Sequence, residues 1–260
     1  MNQSILDEIK NQDYQTITRI FEDFLKSQVS KSDAKGLIFG LSGGIDSAVI
    51  AYLCARVFKN NSLALLLPDS KITPKIDTDD AVKMVESLGI NYKLLDINSI
   101  FSEYEKHLEH DERLFGNLRA RIRANLLYYY ANLKNYLVVG SSDKSEYLIG
   151  YFTKFGDGSA DVLPIVSLYK SQVRELAKFL GIQDSIIAKK SSPQLWTGHL
   201  AEEEIGTTYE EIDSILYCVF DKKLTIEETV KTTQIEKEVV DKIYQLYKNS
   251  HHKRITASRP

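Results

Sequence analysis

A glycine-bearing turn between an apolar run and a helical pattern constrains the fold of this chain most. Residues 36–41 have the apolar character and length of a buried strand, and apolar residues recur every three or four positions from residue 48 onward. The turn between the two segments contains Gly43 and Gly44, which let the backbone bend tightly and approach a ligand without a clash at Cβ. This order predicts a strand, a binding loop and a helix.

The alternation of strand and helix patterns continues through the first half of the chain. Further strands are predicted at 63–67, 92–95 and 136–139, and helices at 79–88, 97–108 and 117–133. Such alternation favours βαβ units and a parallel sheet with helices on both faces. We therefore expect an α/β fold with one doubly wound parallel sheet, whose ligands bind beyond the carboxyl ends of the strands.

Helical patterns also lie outside this region. Helices are predicted at 5–29, 168–180 and 209–247, as N- and C-terminal additions to the sheet. Residues 141–163 and 189–207 show little periodicity, so we expect ordered loops there. The sequence shows no linker, repeat or low-complexity segment, and residues 1–260 are expected to form a single domain.

The composition favours a cytoplasmic protein without nucleic-acid or membrane partners. A formal charge of −3 over 260 residues gives no electrostatic footprint for nucleic acid. The first residues lack a signal-peptide pattern, and no apolar stretch approaches the roughly 18 residues that span a bilayer. Cys54 and Cys218 lie in apolar runs and are interpreted as reduced core residues.

The loop at residues 42–47, Ser-Gly-Gly-Ile-Asp-Ser, is suited to a phosphate ligand. The helix that follows offers unpaired backbone N–H groups and the positive end of its dipole. Ser42 and Ser47 add hydroxyl donors, and the Asp46 carboxylate suits Mg²⁺. The loop matches neither the P-loop nor the dinucleotide fingerprint. A turn that needs two glycines for its geometry alone is the plainer alternative.

This loop resembles the pyrophosphate-binding loop of the N-type ATP pyrophosphatase superfamily, whose members adenylate a substrate. Further segments resemble one family within it, the NAD synthetases. The most specific is Gly-Tyr-Phe-Thr-Lys-Phe-Gly-Asp-Gly at 150–158. The others are Gly-Asn-Leu-Arg-Ala-Arg-Ile-Arg at 116–123, Gly-Ser-Ser-Asp-Lys-Ser-Glu at 140–146, Leu-Tyr-Lys-Ser-Gln-Val-Arg at 168–174, Glu-Ile-Gly-Thr-Thr-Tyr-Glu-Glu-Ile-Asp at 204–213 and His-Lys-Arg at 252–254.

The resemblance implies ATP-dependent amidation of deamido-NAD to NAD on an adenine nucleotide alpha hydrolase-like fold. In such enzymes the nicotinate carboxylate attacks the α-phosphate of ATP, which releases pyrophosphate, and ammonia then displaces AMP. Mg²⁺ and a homodimer with substrate sites at the subunit interface are also implied. Glutamine-dependent relatives carry an amidase domain, for which the residues before 36 are too few, so we expect ammonia as the nitrogen source.

The resemblance also assigns roles by position. The catalytic residues that it implies are Asp46, Glu146, Asp157 and Lys170, of which Asp46 and Glu146 would bind Mg²⁺. The implied ATP contacts are Leu41, Ser42, Gly43, Gly44, Ile45, Asp46, Ser47, Arg123, Ser141, Lys170 and Ser192. The implied deamido-NAD contacts are Asn117, Arg121, Lys154, Asp157, Asp161, His252 and Lys253.

Several of these residues have plainer interpretations. Arg121 and Arg123 fit solvated charges on a helix, Glu146 alone fits a surface carboxylate, and Asp157 between two glycines fits a turn. The tyrosine-rich run at 126–130 fits a dimer interface or the core equally well. None of the five histidines shows metal-ligand spacing, and none is assigned to catalysis.

One region departs from the family pattern. The chain has Lys-Ser-Ser-Pro-Gln-Leu at 190–195 where the family has Lys-x-Pro-Thr/Ser-Ala-Asp-Leu, and His-Leu-Ala-Glu at 199–202 where it has Gln-x-Asp-Glu. Ser192 keeps a hydroxyl, but Gln194 and Ala201 lack the expected acids. We therefore expect altered phosphate contacts in this region.

Two other functions remain open from the sequence. An adenylating pyrophosphatase that makes GMP or modifies tRNA would lack the 150–158 segment, and a tRNA enzyme would show a basic surface. A nucleotide-binding sensor without catalysis would need the glycine loop but neither Glu146 nor Lys170.

Overall fold

Four parallel strands form the sheet of the computed structural model, which describes residues 2–255. The strands are β1 (Gly36–Gly40), β2 (Ser62–Leu66), β3 (Asn91–Leu94) and β4 (Tyr136–Val138), in the spatial order β3-β2-β1-β4. In the central register Ile38 of β1 pairs with Leu63 of β2 and Val138 of β4. The parallel sheet predicted from the alternation is confirmed.

Helices precede, follow and alternate with these strands. Within residues 2–255 they are α1 (Gln3–Lys10), α2 (Tyr14–Lys31), α3 (Ile45–Phe58), α4 (Lys75–Leu88), α5 (Asn98–Glu105), α6 (Glu112–Lys134), α7 (Lys144–Ile149), α8 (Lys170–Phe179), α9 (Asp184–Ile187), α10 (Ala201–Ile205), α11 (Tyr209–Leu216), α12 (Ile226–Thr233) and α13 (Lys237–Asn249). The predicted helical regions are all present, with 5–29 divided between α1 and α2.

Among the differences from the sequence prediction, three concern helix α6 and the short helices α7 and α10. Helix α6 begins at Glu112 rather than at residue 117, because the Asp111 side chain caps it by accepting a hydrogen bond from the Leu114 amide. The short helices α7 and α10 lie in segments that we expected to be loops. Helices this short do not span enough turns to show a hydrophobic period.

Helices cover both faces of the sheet. Helices α2, α3, α4 and α8 pack on the face to which Leu37 and Phe39 of β1 point. Helices α5 and α6 pack on the opposite face, where Ile38 meets Phe101 and Ile122. The α/β fold class is therefore confirmed, since a doubly wound sheet needs apolar helices on both sides.

A third apolar cluster lies beside the two cores of the sheet. It brings together helices α1, α7, α11 and α13 around fully buried side chains such as Ile9, Ile212 and Ile243. This cluster holds α11 against α7 and α8, the helices that contain the predicted site residues Glu146 and Lys170.

Two further findings concern the length of the helices and the state of the two cysteines. No helix within residues 2–255 is long and apolar enough to cross a membrane. Cys54 and Cys218 are both free and buried, as expected. Burial raises the pKa of both thiols, so neither has the thiolate character of a reactive cysteine.

Candidate active site

A cavity of about 1250 Å³ opens beyond the carboxyl ends of β1, β2 and β4. This is the place where an open parallel sheet binds ligands, and its volume exceeds the roughly 300–1,000 Å³ of a typical small-molecule site. The structure brings most predicted site residues to its wall: Leu41, Ser42, Gly44, Ile45, Asp46, Ser47, Asn117, Arg121, Arg123, Ser141, Glu146, Lys154, Asp157, Ser192, His252 and Lys253.

Three predicted site residues within the described chain lie outside the cavity wall. Gly43 has a φ of +82° and closes the turn, and the fully buried Lys170 reaches the site only through its neighbours. Asp161 accepts hydrogen bonds from the Val138 amide at 2.8 Å and from the Tyr128 hydroxyl at 3.2 Å. These contacts give Asp161 a role in shaping the loop after β4, while its substrate role stays a prediction.

The glycine loop is organised by its two serines. Ser47 Oγ accepts a hydrogen bond from the Ser42 amide at 3.2 Å and donates one to the Gly44 carbonyl at 3.0 Å. Gly44 is the N-cap of α3 and has no side chain to cap the helix. The first amides of α3 are therefore oriented for an anionic ligand, as the sequence predicts.

Lys170 lies at the centre of three carboxylates. Its ammonium nitrogen is 2.7 Å from Asp46 Oδ2, 2.8 Å from Asp143 Oδ2 and 2.8 Å from Glu146 Oε1. Lys170 and Asp143 have fully buried side chains, whereas those of Asp46 and Glu146 are about one-fifth exposed, toward the cavity. Removal of water strengthens these charge interactions, so the group forms a tightly coupled ionic cluster.

Three helix N-termini place these charges together. Asp46 belongs to the first turn of α3 and Glu146 to the first turn of α7, whose N-cap is Asp143. Lys170 is the first residue of α8. The positive ends of the α3 and α7 dipoles favour the carboxylates, and they would also favour a polyphosphate.

The ionic cluster shifts the proton affinity of its members. Burial disfavours the charge of Lys170, but the three carboxylates outweigh burial and hold the pKa of its ammonium well above the usual range. Burial also raises the pKa of Asp143 and Glu146, an effect that the Lys170 charge only partly offsets. The cluster contains three carboxylates and one ammonium group, so one positive charge does not balance the negative charge that the carboxylates carry when ionised.

These carboxylates fit a divalent cation. One oxygen each of Asp46, Asp143 and Glu146 lies within 4.8 Å of the others. Asp46 Oδ1 is buried and has no hydrogen-bond partner within residues 2–255. Hard carboxylate oxygens are the ligands that Mg²⁺ prefers. The sequence prediction named Asp46 and Glu146 but missed Asp143, which lies in a segment that we expected to be a loop. In the structure Asp143 also caps α7 by accepting a hydrogen bond from the Glu146 amide.

The segment at 150–158 forms another wall of the cavity and is held by α6. Asn117 Oδ1 accepts a hydrogen bond from the Thr153 hydroxyl at 2.7 Å, and Arg121 donates one to the Lys154 carbonyl at 3.3 Å. Asp157 Oδ1 accepts a hydrogen bond from the Thr153 amide at 2.9 Å. These contacts place Asn117 and Arg121 beside the 150–158 segment, at one end of the cavity.

The C-terminal residues hold the same segment from the other side. Lys253 Nζ donates to the carbonyls of Gly150 and Phe152, both at 2.7 Å, and Lys154 Nζ donates to the His252 carbonyl at 2.6 Å. Burial lowers the pKa of Lys253, although Asp157 opposes this shift. The structure thus brings together His252, Lys253 and the 150–158 segment, which lie about one hundred positions apart.

Two arginines of α6 lie near the end of β2. Arg123 donates to the Leu67 carbonyl at 3.0 Å, and burial lowers the pKa of its guanidinium to about 10. Arg119 pairs with the fully buried Asp69 at 2.7 Å and packs over the Phe101 ring. Arg119 was not among the predicted site residues. Arg119 lies four residues before Arg123, on the same face of α6, and this spacing could have identified it as a second arginine near the site.

The region that departs from the family pattern lies across the cavity. Gln194 and Lys189 both donate to the Asp77 carboxylate of α4, at 2.8 and 2.7 Å. Ser192 Oγ donates to the His199 carbonyl at 2.5 Å, so in this state its hydroxyl is engaged within the segment. The region is therefore held partly by α4 and partly by a hydrogen bond between its own residues.

The chain matches the family model described as NAD synthase over residues 17–257. It is 49% identical to the protein of Hyperthermus butylicus named NH(3)-dependent NAD(+) synthetase, over 98% of this chain and 94% of that one. Two solved structures are each 34% identical and align with 96% of this chain and 99% of theirs: the NMN synthetase from Francisella tularensis (TM-score 0.85) and the NH3-dependent NAD synthetase from Campylobacter jejuni, solved with a nitrate ion (TM-score 0.81). The chain therefore belongs to the NAD synthase family.

Proposed function

We propose that this chain is an ammonia-dependent NAD synthetase, a ligase that uses ATP to convert deamido-NAD into NAD. The observation that carries the proposal is the ionic cluster of Lys170, Asp46, Asp143 and Glu146 directly beside the glycine loop. The two helix N-termini beside this cluster suit the β- and γ-phosphates of ATP, and its surplus carboxylates suit the cation that accompanies them. The cavity has room for a second nucleotide.

The chemistry proceeds in two displacements. A carboxylate oxygen of the nicotinate ring attacks the α-phosphorus of ATP, and the bond to the bridging oxygen breaks so that pyrophosphate leaves. The nitrogen of ammonia then attacks the carboxyl carbon, the bond from that carbon to the AMP oxygen breaks, and a proton is lost. Adenylation is required because a free carboxylate has no good leaving group.

The residues of the glycine loop would stabilise the departing pyrophosphate. Negative charge grows on the bridging oxygen as the bond breaks, and the first amides of α3 can donate to it. The hydroxyls of Ser42 and Ser47 hydrogen-bond each other and the Gly44 carbonyl, and would turn toward the phosphates when ATP binds. Lys170 supplies a fixed positive charge at the same end of the cavity. Pre-oriented donors are effective because they need no rearrangement during the step.

We propose that Asp46, Asp143 and Glu146 hold Mg²⁺. A magnesium ion there would neutralise phosphate oxygens and make pyrophosphate a better leaving group. The unpartnered Asp46 Oδ1 and the excess of carboxylates over ammonium groups support this assignment.

The 150–158 segment and its partners would bind deamido-NAD. Asn117 and Arg121 approach this segment from α6, and His252 and Lys253 approach it from the C-terminal side. Asp157 lies between them with a carboxyl whose pKa is raised by burial. Free ammonia is the nitrogen source that we propose, so glutamine should not support the reaction of the pure protein.

We further propose a homodimer with the substrate site near its interface. Helices α5 and α6 and the turn after α5 carry an apolar surface, the α5–α6 face, whose members are 39% to 63% exposed: Ile100, Tyr104, Leu108, Leu114, Tyr129 and Leu133. Exposed apolar surface of this kind marks an interaction site in many proteins. Within the tyrosine-rich run, Tyr129 belongs to this face while Tyr128 and Tyr130 pack against the core.

A substitution that introduces one charge on the α5–α6 face tests whether this face forms the dimer interface. Leu133→Asp should shift the sedimentation coefficient from that of a dimer to that of a monomer and raise the KM for deamido-NAD. Ile20→Asp places the same charge at an equally exposed apolar position on α2, outside the face, and should leave the dimer intact. A wild-type monomer with full activity contradicts the proposed assembly.

A second candidate substrate is nicotinate mononucleotide, which would be amidated to NMN. The observation in its favour is the TM-score of 0.85 to a protein named as an NMN synthetase. Both reactions adenylate the same nicotinate carboxylate, so the glycine loop and the ionic cluster would serve either of them.

The deciding experiment compares the two acids under one set of conditions. The pure protein is given ATP, Mg²⁺ and ammonium with either deamido-NAD or nicotinate mononucleotide, and the amide product is quantified by chromatography. The proposal predicts a larger kcat/KM for deamido-NAD. A larger kcat/KM for nicotinate mononucleotide favours the second candidate, and no amide from either acid contradicts both.

A further inference from the structure

Helix α11 passes beneath the ionic cluster; one of its side chains contacts the cluster, and a second contacts residues adjacent to it in sequence. Tyr209 and Asp213 are four residues apart on α11, so they lie on the same face of the helix. Both side chains are fully buried, and neither lines the cavity wall of the described chain. Their contacts lead directly to Glu146 and Lys170.

Tyr209 contacts both Glu146 and Lys170. Its hydroxyl donates a hydrogen bond to Glu146 Oε1 at 3.0 Å, and the Lys170 ammonium lies 5.0 Å from the centre of its ring. Lys170 Nζ reaches the same oxygen of Glu146 at 2.8 Å. Two donors on Oε1 fix the rotation of the carboxylate, which determines where its second oxygen points.

Asp213 joins the backbones that carry the same two residues. One of its oxygens accepts a hydrogen bond from the Ser145 hydroxyl at 2.5 Å, and the other accepts one from the Ser171 amide at 2.8 Å. Ser145 Oγ in turn accepts a hydrogen bond from the Lys170 amide at 2.9 Å. Ser145 precedes Glu146 in α7 and Ser171 follows Lys170 in α8, so one buried carboxylate ties the first turns of both helices together.

We propose that Tyr209 and Asp213 are positioning residues for the metal and pyrophosphate site: Asp213 sets the distance between α7 and α8, and Tyr209 orients the Glu146 carboxylate toward the cation. The proposal rests on the function proposed above, in which Asp46, Asp143 and Glu146 hold Mg²⁺. Charge-assisted hydrogen bonds to carboxylates are stronger and more directional than neutral ones, which suits them to this task.

The decisive variant is Tyr209→Phe, which removes one hydroxyl and keeps the buried ring. Loss of a group that orients a metal ligand typically weakens metal binding 10- to 100-fold, so we expect the Kd for Mn²⁺ alone to rise about tenfold. Mn²⁺ binding is measured without turnover, from the loss of the free-ion signal in electron paramagnetic resonance. In the assay, the KM for Mg²⁺ should rise by a similar factor, while kcat at saturating Mg²⁺ stays within about twofold.

Tyr217→Phe is the matched control. Tyr217 follows α11 directly, and its hydroxyl donates to the Glu8 carboxylate at 2.9 Å, at the surface. This variant loses the same tyrosine–glutamate hydrogen bond away from the site, so its Kd for Mn²⁺ should equal that of the wild type. Asp213→Asn keeps the shape of the side chain but loses its charge, and should also raise the Kd for Mn²⁺.

The outcomes separate this proposal from the proposed function. A Tyr209→Phe protein that forms NAD and has the wild-type Kd for Mn²⁺ and KM for Mg²⁺ overturns the positioning role and leaves the function standing. An equal rise in the KM values for Mg²⁺ and deamido-NAD also overturns it, since that pattern indicates a general structural role. A wild type that binds Mn²⁺ but makes no amide contradicts the function and leaves the role of Tyr209 to be decided by the Mn²⁺ titration.

Discussion

The ammonium nitrogen of Lys170 lies 2.7 Å from Oδ2 of Asp46, although 124 positions separate the two residues in the chain. The contact joins the first turn of α8 to the first turn of α3, on the helix that follows the glycine loop. It makes the glycine loop and the carboxylates of α7 parts of one charged site.

Lys170→Met should destabilise the metal-free protein and make its stability more dependent on cations. Removal of one partner from a buried ionic group typically lowers the free energy of unfolding by about 3 kcal/mol or more, because the remaining charges are uncompensated. A divalent cation can then replace the lost charge, so added Mn²⁺ should raise the melting temperature of the variant more than that of the wild type. Urea unfolding with and without Mn²⁺ tests this expectation, and equal stability of the two proteins without metal would contradict it.

Asp46→Asn should remove most of the turnover. The amide is a poorer ligand for a hard cation than the carboxylate, and we expect kcat to fall on the order of 100-fold. Asp143 and Glu146 still pair with the Lys170 ammonium in this variant, so the variant should fold. Steady-state rates with circular dichroism as a folding check provide the test, and a folded variant with near-normal kcat would refute the role of Asp46.

Arg121→Ala should weaken the binding of deamido-NAD more than that of ATP. Arg121 holds the Lys154 carbonyl of the 150–158 segment, whereas Arg123 donates to the Leu67 carbonyl after β2. We expect a rise of about tenfold in the KM for deamido-NAD and a change of less than about twofold in the KM for ATP. Arg121→Lys is the control that keeps the charge. If titration calorimetry shows that the variant loses more affinity for ATP than for deamido-NAD, the assignment of Arg121 to the deamido-NAD site is wrong.

Glu204→Gln should destabilise the protein at neutral pH and less so in acid. Glu204 Oε2 accepts hydrogen bonds from the Tyr151 hydroxyl and from His199 Nε2, both at 2.7 Å. Burial raises the pKa of Glu204, but these two hydrogen bonds outweigh burial and hold it below the ordinary value of 4.5. A lowered pKa gives stabilisation that is present above pH 4.5 and is lost as the pH falls through the pKa of the folded state.

The melting temperatures of Glu204→Gln and wild type are therefore compared across this range. The difference between them should be largest near about pH 7 and shrink below pH 4.5. Glu203→Gln, at an exposed neighbouring position of α10, should match the wild type throughout. A difference that grows in acid would mean that Glu204 is not held in its charged form by Tyr151 and His199.

The fold and the glycine loop were accessible from the sequence because both depend on local patterns. The run at 36–41, the turn at Gly43 and Gly44, and the helical period after residue 48 each involve neighbouring residues. The structure contains another local pattern, the capping box that Thr225 and Glu228 form at the start of α12. Local preferences of this kind need no knowledge of distant contacts.

Several members of the site were not accessible in this way. Asp143 lies in a segment that we expected to be a loop, at the start of α7, a helix too short to show a period. Tyr209 and Asp213 lie in a motif that was noticed at 204–213 but has no visible chemistry until α11 is placed beneath α7 and α8. His199 lacks any metal-ligand spacing, and its hydrogen bonds with Tyr151 and Glu204 depend on two loops that meet only in the folded chain.

The central claim is that the nicotinate carboxylate is activated by transfer of AMP, and the fate of its oxygen tests this claim most directly. Deamido-NAD labelled with ¹⁸O in the carboxylate is converted with ATP, Mg²⁺ and ammonium, and the products are analysed by mass spectrometry. The account predicts one labelled oxygen in the phosphate of AMP and unlabelled pyrophosphate. Labelled inorganic phosphate with ADP, or AMP without label, would contradict it.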